Sequence, residues 1–141
     1  MRYLDASVVL AYYLPDTFSD AAAAIYRAGG GLVLSDWAEL ETTSVIARLV
    51  RSGSLAERDA RTTLGLLRDH VDAALYRRVT TGAEHVEEAR RLIADLRVPL
   101  RAPDALHVVL ARAHRLTLVT GDRQLARSGA AIDMAVEVVE A

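Results

Sequence analysis

Apolar positions recur in two rhythms along this chain. Short unbroken runs, "GLVLS", "LTLVT" and "MAVEVVE", have the length and β-branched content of buried strands. Between them lie longer stretches with apolar residues at helical spacing. The pattern predicts a short strand over Arg2–Asp5, then a helix, "ASVVLAYYL", stopped by Pro15. "SDAAAAIYRAG" reads as a helix with a glycine stop, and "DWAELETTSVIARLVRSG" as another, ended at Gly53. "SLAERDARTTLGLLRDH" opens on Ser54 with Glu57 three residues on, the pattern of a capping box. "AALYRRVT" reads as a strand. "GAEHVEEARRLIADLR" is an amphipathic helix with Val86, Ala89, Leu92, Ile93 and Leu96 on one face. "APDALHVVLARAHR" is a helix with an early Pro103, apolar enough to be largely buried, and "DRQLARSG" a short helix.

Strands alternating with helices predict an α/β fold around a mostly parallel sheet covered on both faces. At 141 residues the chain suits one domain, 1–141, with a sizeable core. The formal charge of −2 announces no nucleic-acid partner, yet leaves room for an acidic pocket beside a basic rim. All 17 basic residues are Arg, which excludes any mechanism that needs a lysine. Cysteine is absent, so disulfides and thiolate metal sites are excluded. No signal peptide or membrane span is legible, and a cytoplasmic protein without a membrane partner is the expectation.

The acids change the picture. Sites in open α/β sheets form beyond the carboxyl ends of the strands. Asp5, Asp36 and Asp122 each follow a predicted strand, so two or three carboxylates are expected at one edge. Asp104 opens an otherwise apolar helix, and Glu41 sits beside an apolar stripe, while Glu39 should face outward more. Each aspartate also stands near a helix start, so capping accounts for any one alone. Glu41 lies too deep in its helix to cap it. Carboxylates converging in an apolar setting repel one another, and a divalent cation relieves that. Oxygen donors without Cys or His suit Mg²⁺ or Mn²⁺, and such sites work on phosphates.

Four stretches, "YLDASVVL", "SDWAELETTSVIARLVRSG", "LRAPDALHVVLARAH" and "LVTGDRQLA", resemble in order and separation the PIN-domain nucleases, and within them VapC-type toxins of toxin–antitoxin pairs. The resemblance spans almost the whole chain. It implies a three-layer α/β/α sandwich and a metal-dependent endoribonuclease cutting RNA phosphodiesters to leave a 5′-phosphate. Its four acids fall on Asp5, Glu41, Asp104 and Asp122, as ligands of one or two Mg²⁺ or Mn²⁺ ions. Ser7 and Thr120 fall where small hydroxyl residues help hold the metal or its waters. It further implies a homodimer and a VapB-like antitoxin that blocks the pocket. The helices around "SDWAELETTSVIARLV" and "LAERDARTTLGLL" are the expected docking groove.

Substrate grip is expected from arginines at the rim, chosen from Arg48, Arg51, Arg112, Arg115 and Arg123, with Arg48, Arg112 and Arg123 foremost. His85, His107 and His114 are expected to be ordinary core or surface histidines, because the chemistry needs none. Trp37, Arg77 and Arg78 receive no catalytic role. A receiver domain would need a lysine, and a haloacid-dehalogenase-like phosphatase a second Asp where Ser7 stands. A PIN-fold RNA-processing component, or a catalytically silent RNA-binding one, is the closer rival.

Overall fold

The computed structural model describes residues 1–141. Five parallel strands form one sheet: β1 (Arg2–Leu4), β2 (Leu32–Ser35), β3 (Tyr76–Val79), β4 (Thr117–Thr120) and β5 (Val136–Val138), in the order β3-β2-β1-β4-β5. Seven helices connect them: α1 (Ala6–Tyr13), α2 (Ser19–Arg27), α3 (Asp36–Arg51), α4 (Glu57–Asp72), α5 (Ala83–Ala94), α6 (Ala102–Ala113) and α7 (Arg123–Ala131). The expected α/β/α sandwich is the one observed.

The pleat sorts the core into two layers. Tyr3, Val33, Val79 and Leu118 face one side, against Ala89 of α5, Ala105, Val108 and Val109 of α6, and Leu125 of α7. Their strand neighbours Leu4, Leu32, Leu34 and Val119 face the other, against Val8 and Val9 of α1, Ile25 of α2, Ala38 of α3 and Leu67 of α4. Both faces of the central strands are therefore dry, as a parallel sheet requires. The chain builds outward from β1 through β2 to β3, then crosses back and builds through β4 to β5. The strand order thus reverses between β1 and β4. At such a switch point the two following loops diverge and leave a crevice at the carboxyl edge.

Two expectations fail at helix ends. Ser54 does not cap α4; the N-cap is Ala56, without a side-chain bond. Ser54 is drawn into the end of α3 instead: Ser54 N and Leu55 N both donate to Leu49 O, and its hydroxyl pairs with Ser52. Gly53, at φ +76°, makes that turn at no steric cost. Likewise α5 stops at Ala94, and Leu96 takes a left-handed conformation at φ +59°. Leu96 is 88% exposed and Val86 is 54% exposed, so the apolar face of α5 is narrower than its spacing suggests. No helix is long and apolar enough to cross a membrane.

Candidate active site

Asp5 directly follows β1 and caps α1, accepting from Val8 N at 3.2 Å. Ser7 Oγ donates to Asp5 Oδ1 at 2.6 Å, and Thr120 Oγ1 donates to Asp5 Oδ2 at 2.5 Å. The same two hydroxyls accept from the loop after β4: Ser7 from Gly121 N at 2.9 Å, Thr120 from Asp122 N at 2.9 Å. Two small hydroxyl residues thus stitch the β1 and β4 exits together across the switch point. Gly121 is held close here, since a Cβ would stand 3.3 Å from Ser7 Oγ. Asp122 caps α7, accepting from Gln124 N at 2.7 Å and Leu125 N at 3.2 Å. Capping and site-building are therefore the same act for Asp5 and Asp122.

Asp104 comes from the first turn of α6, whose N-cap is Arg101. Arg101 Nε lies 3.4 Å from Asp104 Oδ2. His107, one turn further, is buried and bonds Glu41 through Nε2. Its Nδ1 shares a 2.8 Å bond with the buried Tyr3 hydroxyl, which also bonds Ser35 Oγ at 2.7 Å. Trp37 Nε1 donates to Pro103 O at 3.3 Å, a second tie between α3 and α6. Together these fix the helix carrying Glu41 against the helix carrying Asp104.

The electrostatics mark a site short of positive charge. Burial pushes the Asp5 carboxyl above its ordinary range, more than nearby His107 and the Ser7, Thr120 and Val8 donors pull it down. Burial also raises Asp104, against the pull of Arg101, and the neighbouring Asp122 charge adds to the rise. Burial raises the Tyr3 hydroxyl too, and the charges of Asp5 and Glu41 reinforce it. Asp5 and Glu41 thus both act on the Tyr3 hydroxyl, and Asp104 feels Asp122.

The site's donor set is carboxylate and hydroxyl oxygen, which fits a hard divalent cation. As placed, no three of its His, Asp and Glu side chains converge on a common point. Glu41 is engaged by His107, Asp104 by Arg101, and Asp5 by its hydroxyl and amide donors. The chemistry fits a cation, with Asp5 as the most buried carboxylate of the four acids.

Other expected residues lie elsewhere or are otherwise engaged. Asp36 also ends a strand, but it latches the β3 exit: Thr81 N and Oγ1 donate to it at 2.9 and 2.6 Å, and Trp37 N at 2.8 Å. Those bonds outweigh its partial burial and hold its carboxyl below the usual range. Glu39 does not face outward more than Glu41; it pairs with Arg78 at 2.5 Å, and the two glutamates are 24% and 26% exposed. Arg112 sits at the far end of α6 from Asp104, paired with Glu88 at 2.5 Å, and Arg115 follows that helix end. Neither reaches the carboxylate edge. Arg48 is exposed on α3, about two turns from Glu41. Arg123 opens α7 beside Asp122, exposed and 3.5 Å from Glu140. Sequence spacing pointed to neither Arg101 nor the bond from His107 to Glu41. The i,i+3 relation of each to Asp104 was the available signal.

Known proteins give the arrangement its context. The PIN domain family model matches residues 2–130. Comparison with curated protein sequences gives no match. Among solved structures, FitAcB from Neisseria gonorrhoeae aligns with a TM-score of 0.69 at 19% identity, covering 96% of each chain. VapBC2 from Rickettsia felis, bound to a promoter DNA fragment, aligns at 0.69 with 16% identity, over 99% of this chain and 100% of that one. VapC20 from Mycobacterium tuberculosis, a sarcin–ricin-loop-cleaving toxin, aligns at 0.65 with 17% identity, over 84% and 87%. At such identities the likeness is one of fold, and it agrees with the family match. With its strand order, its carboxylates at the β1/β4 crevice and this match over most of its length, the chain belongs to the PIN-domain family.

Proposed function

We propose that this protein is a metal-dependent endoribonuclease and the toxin of a VapBC-type pair. The observation that carries the reading is the buried Asp5, held by Ser7 and Thr120 at the switch point, with Asp122 following the neighbouring strand and Glu41 and Asp104 carried by the tied helices α3 and α6. A carboxylate this buried and this short of compensating charge is costly to a fold. A site that takes up Mg²⁺ or Mn²⁺ gives that cost a use. When bound, the cation supplies a Lewis acid that polarises the scissile phosphate and acidifies a coordinated water.

The protein groups then have distinct tasks. Asp5, with both oxygens oriented by fixed donors, anchors the ion. Glu41 and Asp104 complete the oxygen set from α3 and α6. Asp122, whose Oδ1 is held by the α7 amides, has Oδ2 without a protein partner and orients the attacking water. Ser7 and Thr120 keep Asp5 in place. Arg123 beside Asp122, Arg101 beside Asp104 and the exposed Arg48 are the arginines placed to meet RNA phosphates. The structural relatives FitAB and VapBC2 are each bound to a DNA fragment, and another relative is a toxin–antitoxin complex from Klebsiella pneumoniae. A VapB-like antitoxin is proposed on that basis, and a homodimer on the resemblance to VapC-type toxins alone. The exposed Leu40 on α3 and Leu66 on α4 give the antitoxin apolar ground.

The test is cleavage of a mixed RNA pool by purified protein with Mg²⁺, with Mn²⁺ and with EDTA, beside Asp5→Asn. Cleavage that needs both metal and Asp5 is expected. Cleavage by wild type in EDTA, or by Asp5→Asn at the wild-type rate, refutes the assignment.

A further inference from the structure

The buried chain behind Glu41 has a direction that proton counting settles. Ser35 Oγ caps α3 by accepting from Ala38 N at 3.0 Å. Its own proton then needs an acceptor, and its remaining partner is the Tyr3 hydroxyl at 2.7 Å. Were Tyr3 to donate to Ser35 instead, Ser35 would accept twice, and its proton would be stranded in a fully buried position. With Ser35 donating, the single proton of Tyr3 goes to His107 Nδ1 at 2.8 Å. A neutral imidazole that accepts at Nδ1 carries its proton at Nε2, and Nε2 is the atom bonded to Glu41 Oε2.

We infer that His107 is a positioning residue that presents Glu41 to the site by donating from Nε2, its tautomer set by the Ser35–Tyr3–His107 chain. The helix N-cap of α3, a residue of the central strand and a residue of α6 thus form one relay that ends on one carboxylate oxygen. Glu41 needs this support because it stands inside a helix, where no backbone amide is free to hold it, unlike Asp5 and Asp122. Its side chain has rotatable bonds that an exposed glutamate samples freely, and the Nε2 donor selects one arrangement. Glu41 Oε1 is left without a protein partner. Because His107 and Asp104 lie one turn apart on α6, the same rigid helix places both. The inference deepens the proposed function and rests on it for the ion-binding role of Glu41.

The test combines two readouts that do not require turnover with one that does. In metal-free wild type, ¹⁵N shifts of the histidine side chains report the tautomer, and the Nε2–H form of His107 is expected. Mn²⁺ affinity is measured by calorimetry for wild type, His107→Phe, His107→Gln and Tyr3→Phe. Loss of a group that orients a metal ligand typically costs ~10–100-fold in affinity, and that loss is expected for His107→Phe. His107→Gln, whose amide reaches the same place, should recover most of it. Tyr3→Phe keeps the ring volume while removing the hydroxyl; it should mix the tautomers and weaken Mn²⁺ binding. RNA cleavage should follow the same order in kcat, with KM little changed.

An Nδ1–H tautomer in wild type overturns the inference. So does a folded His107→Phe that binds Mn²⁺ like wild type. If that variant does not fold, a Tyr3→Phe protein with wild-type tautomer and affinity overturns it equally. Wild type that takes up no Mn²⁺ and cleaves no RNA overturns the proposed function, and the ion-site role of His107 with it. An unaffected His107→Phe beside a metal-dependent wild type overturns only the inference.

Discussion

Asp5→Asn should make the metal-free protein more stable while ending its activity. The Asp5 carboxylate is buried, and burial raises its pKa despite three hydrogen-bond donors. A carboxyl raised on folding contributes stability that is full below its unfolded pKa and is lost as pH rises through the folded one. Above that folded value the stability is gone and the charge is a burden. Burying a carboxylate costs several kcal/mol. Its hydrogen bonds return about 1.5–3 kcal/mol each, because the acceptor is charged. Asparagine removes the charge. Its Oδ1 still accepts from Ser7 and Val8, but its amide meets Thr120 Oγ1, which already accepts from Asp122 N, so the buried Thr120 proton loses its acceptor and part of the gain is given back. Gain and loss oppose one another, and the raised pKa says that burial wins. For a chain of this size each 1 kcal/mol of difference is about 3–4 °C in Tm. The assay is thermal unfolding of both proteins between pH 4 and 8, with and without Mn²⁺. Without metal the variant should gain on wild type as pH rises through the folded pKa of Asp5, and the gain should vanish on acidification as wild-type Asp5 takes up its proton. With Mn²⁺ at about a hundred times its Kd, wild type alone should gain about 2.7 kcal/mol and overtake. A variant that gains nothing on wild type as pH rises, without metal, would refute the electrostatic reasoning. A wild type indifferent to Mn²⁺ would refute the site.

Other substitutions separate structural acids from working ones. Asp36→Ala should cost about 1–3 kcal/mol through loss of the bonds to Thr81 and Trp37, yet leave Mn²⁺ affinity intact, as unfolding and calorimetry will show. Its carboxyl is lowered on folding, so its contribution is present above the unfolded pKa of about 3.9 and is lost as pH falls below it. Gly129→Ala would place a Cβ 2.9 Å from Val136 Cγ2, and should cost about 1–3 kcal/mol in urea unfolding. Ser128 Oγ is buried without a partner, so Ser128→Ala should stabilise by up to about 1 kcal/mol in the same assay.

The strands and helices were legible because their apolar rhythm is the rhythm of the two core layers. Tyr3 and Leu4 face opposite sides, as do Leu118 and Val119. The gathering of Asp5 and Asp122 was legible too, since both follow strands that the topology makes neighbours. What spacing could not show was competition for partners. Ser54 reads as a cap until the end of α3 claims it, and Asp36 reads like Asp5 until Thr81 claims it. His107 reads as an ordinary core histidine, which its burial supports, but its bond to Glu41 depends on how α3 packs on α6. Arg112 was placed at the rim on charge alone, and helix length carries it to the opposite edge.

The central position of β1 has a consequence for when this protein becomes active. The strand nearest the start of the chain is flanked by β2 and by β4, whose partners for Arg2 are Leu32 and Thr117. During synthesis β1 can pair on one side early, but its other edge stays bare until residues near 120 have left the ribosome. Contacts this distant in sequence form slowly, because the intervening loop must close first. Thr120 and Asp122, which complete the surroundings of Asp5, arrive with that last pairing. The nascent chain thus carries its first acid in an unfinished sheet. On the proposed function, a chain built this way would be inert while it is being translated and would gain its chemistry only when the sheet closes.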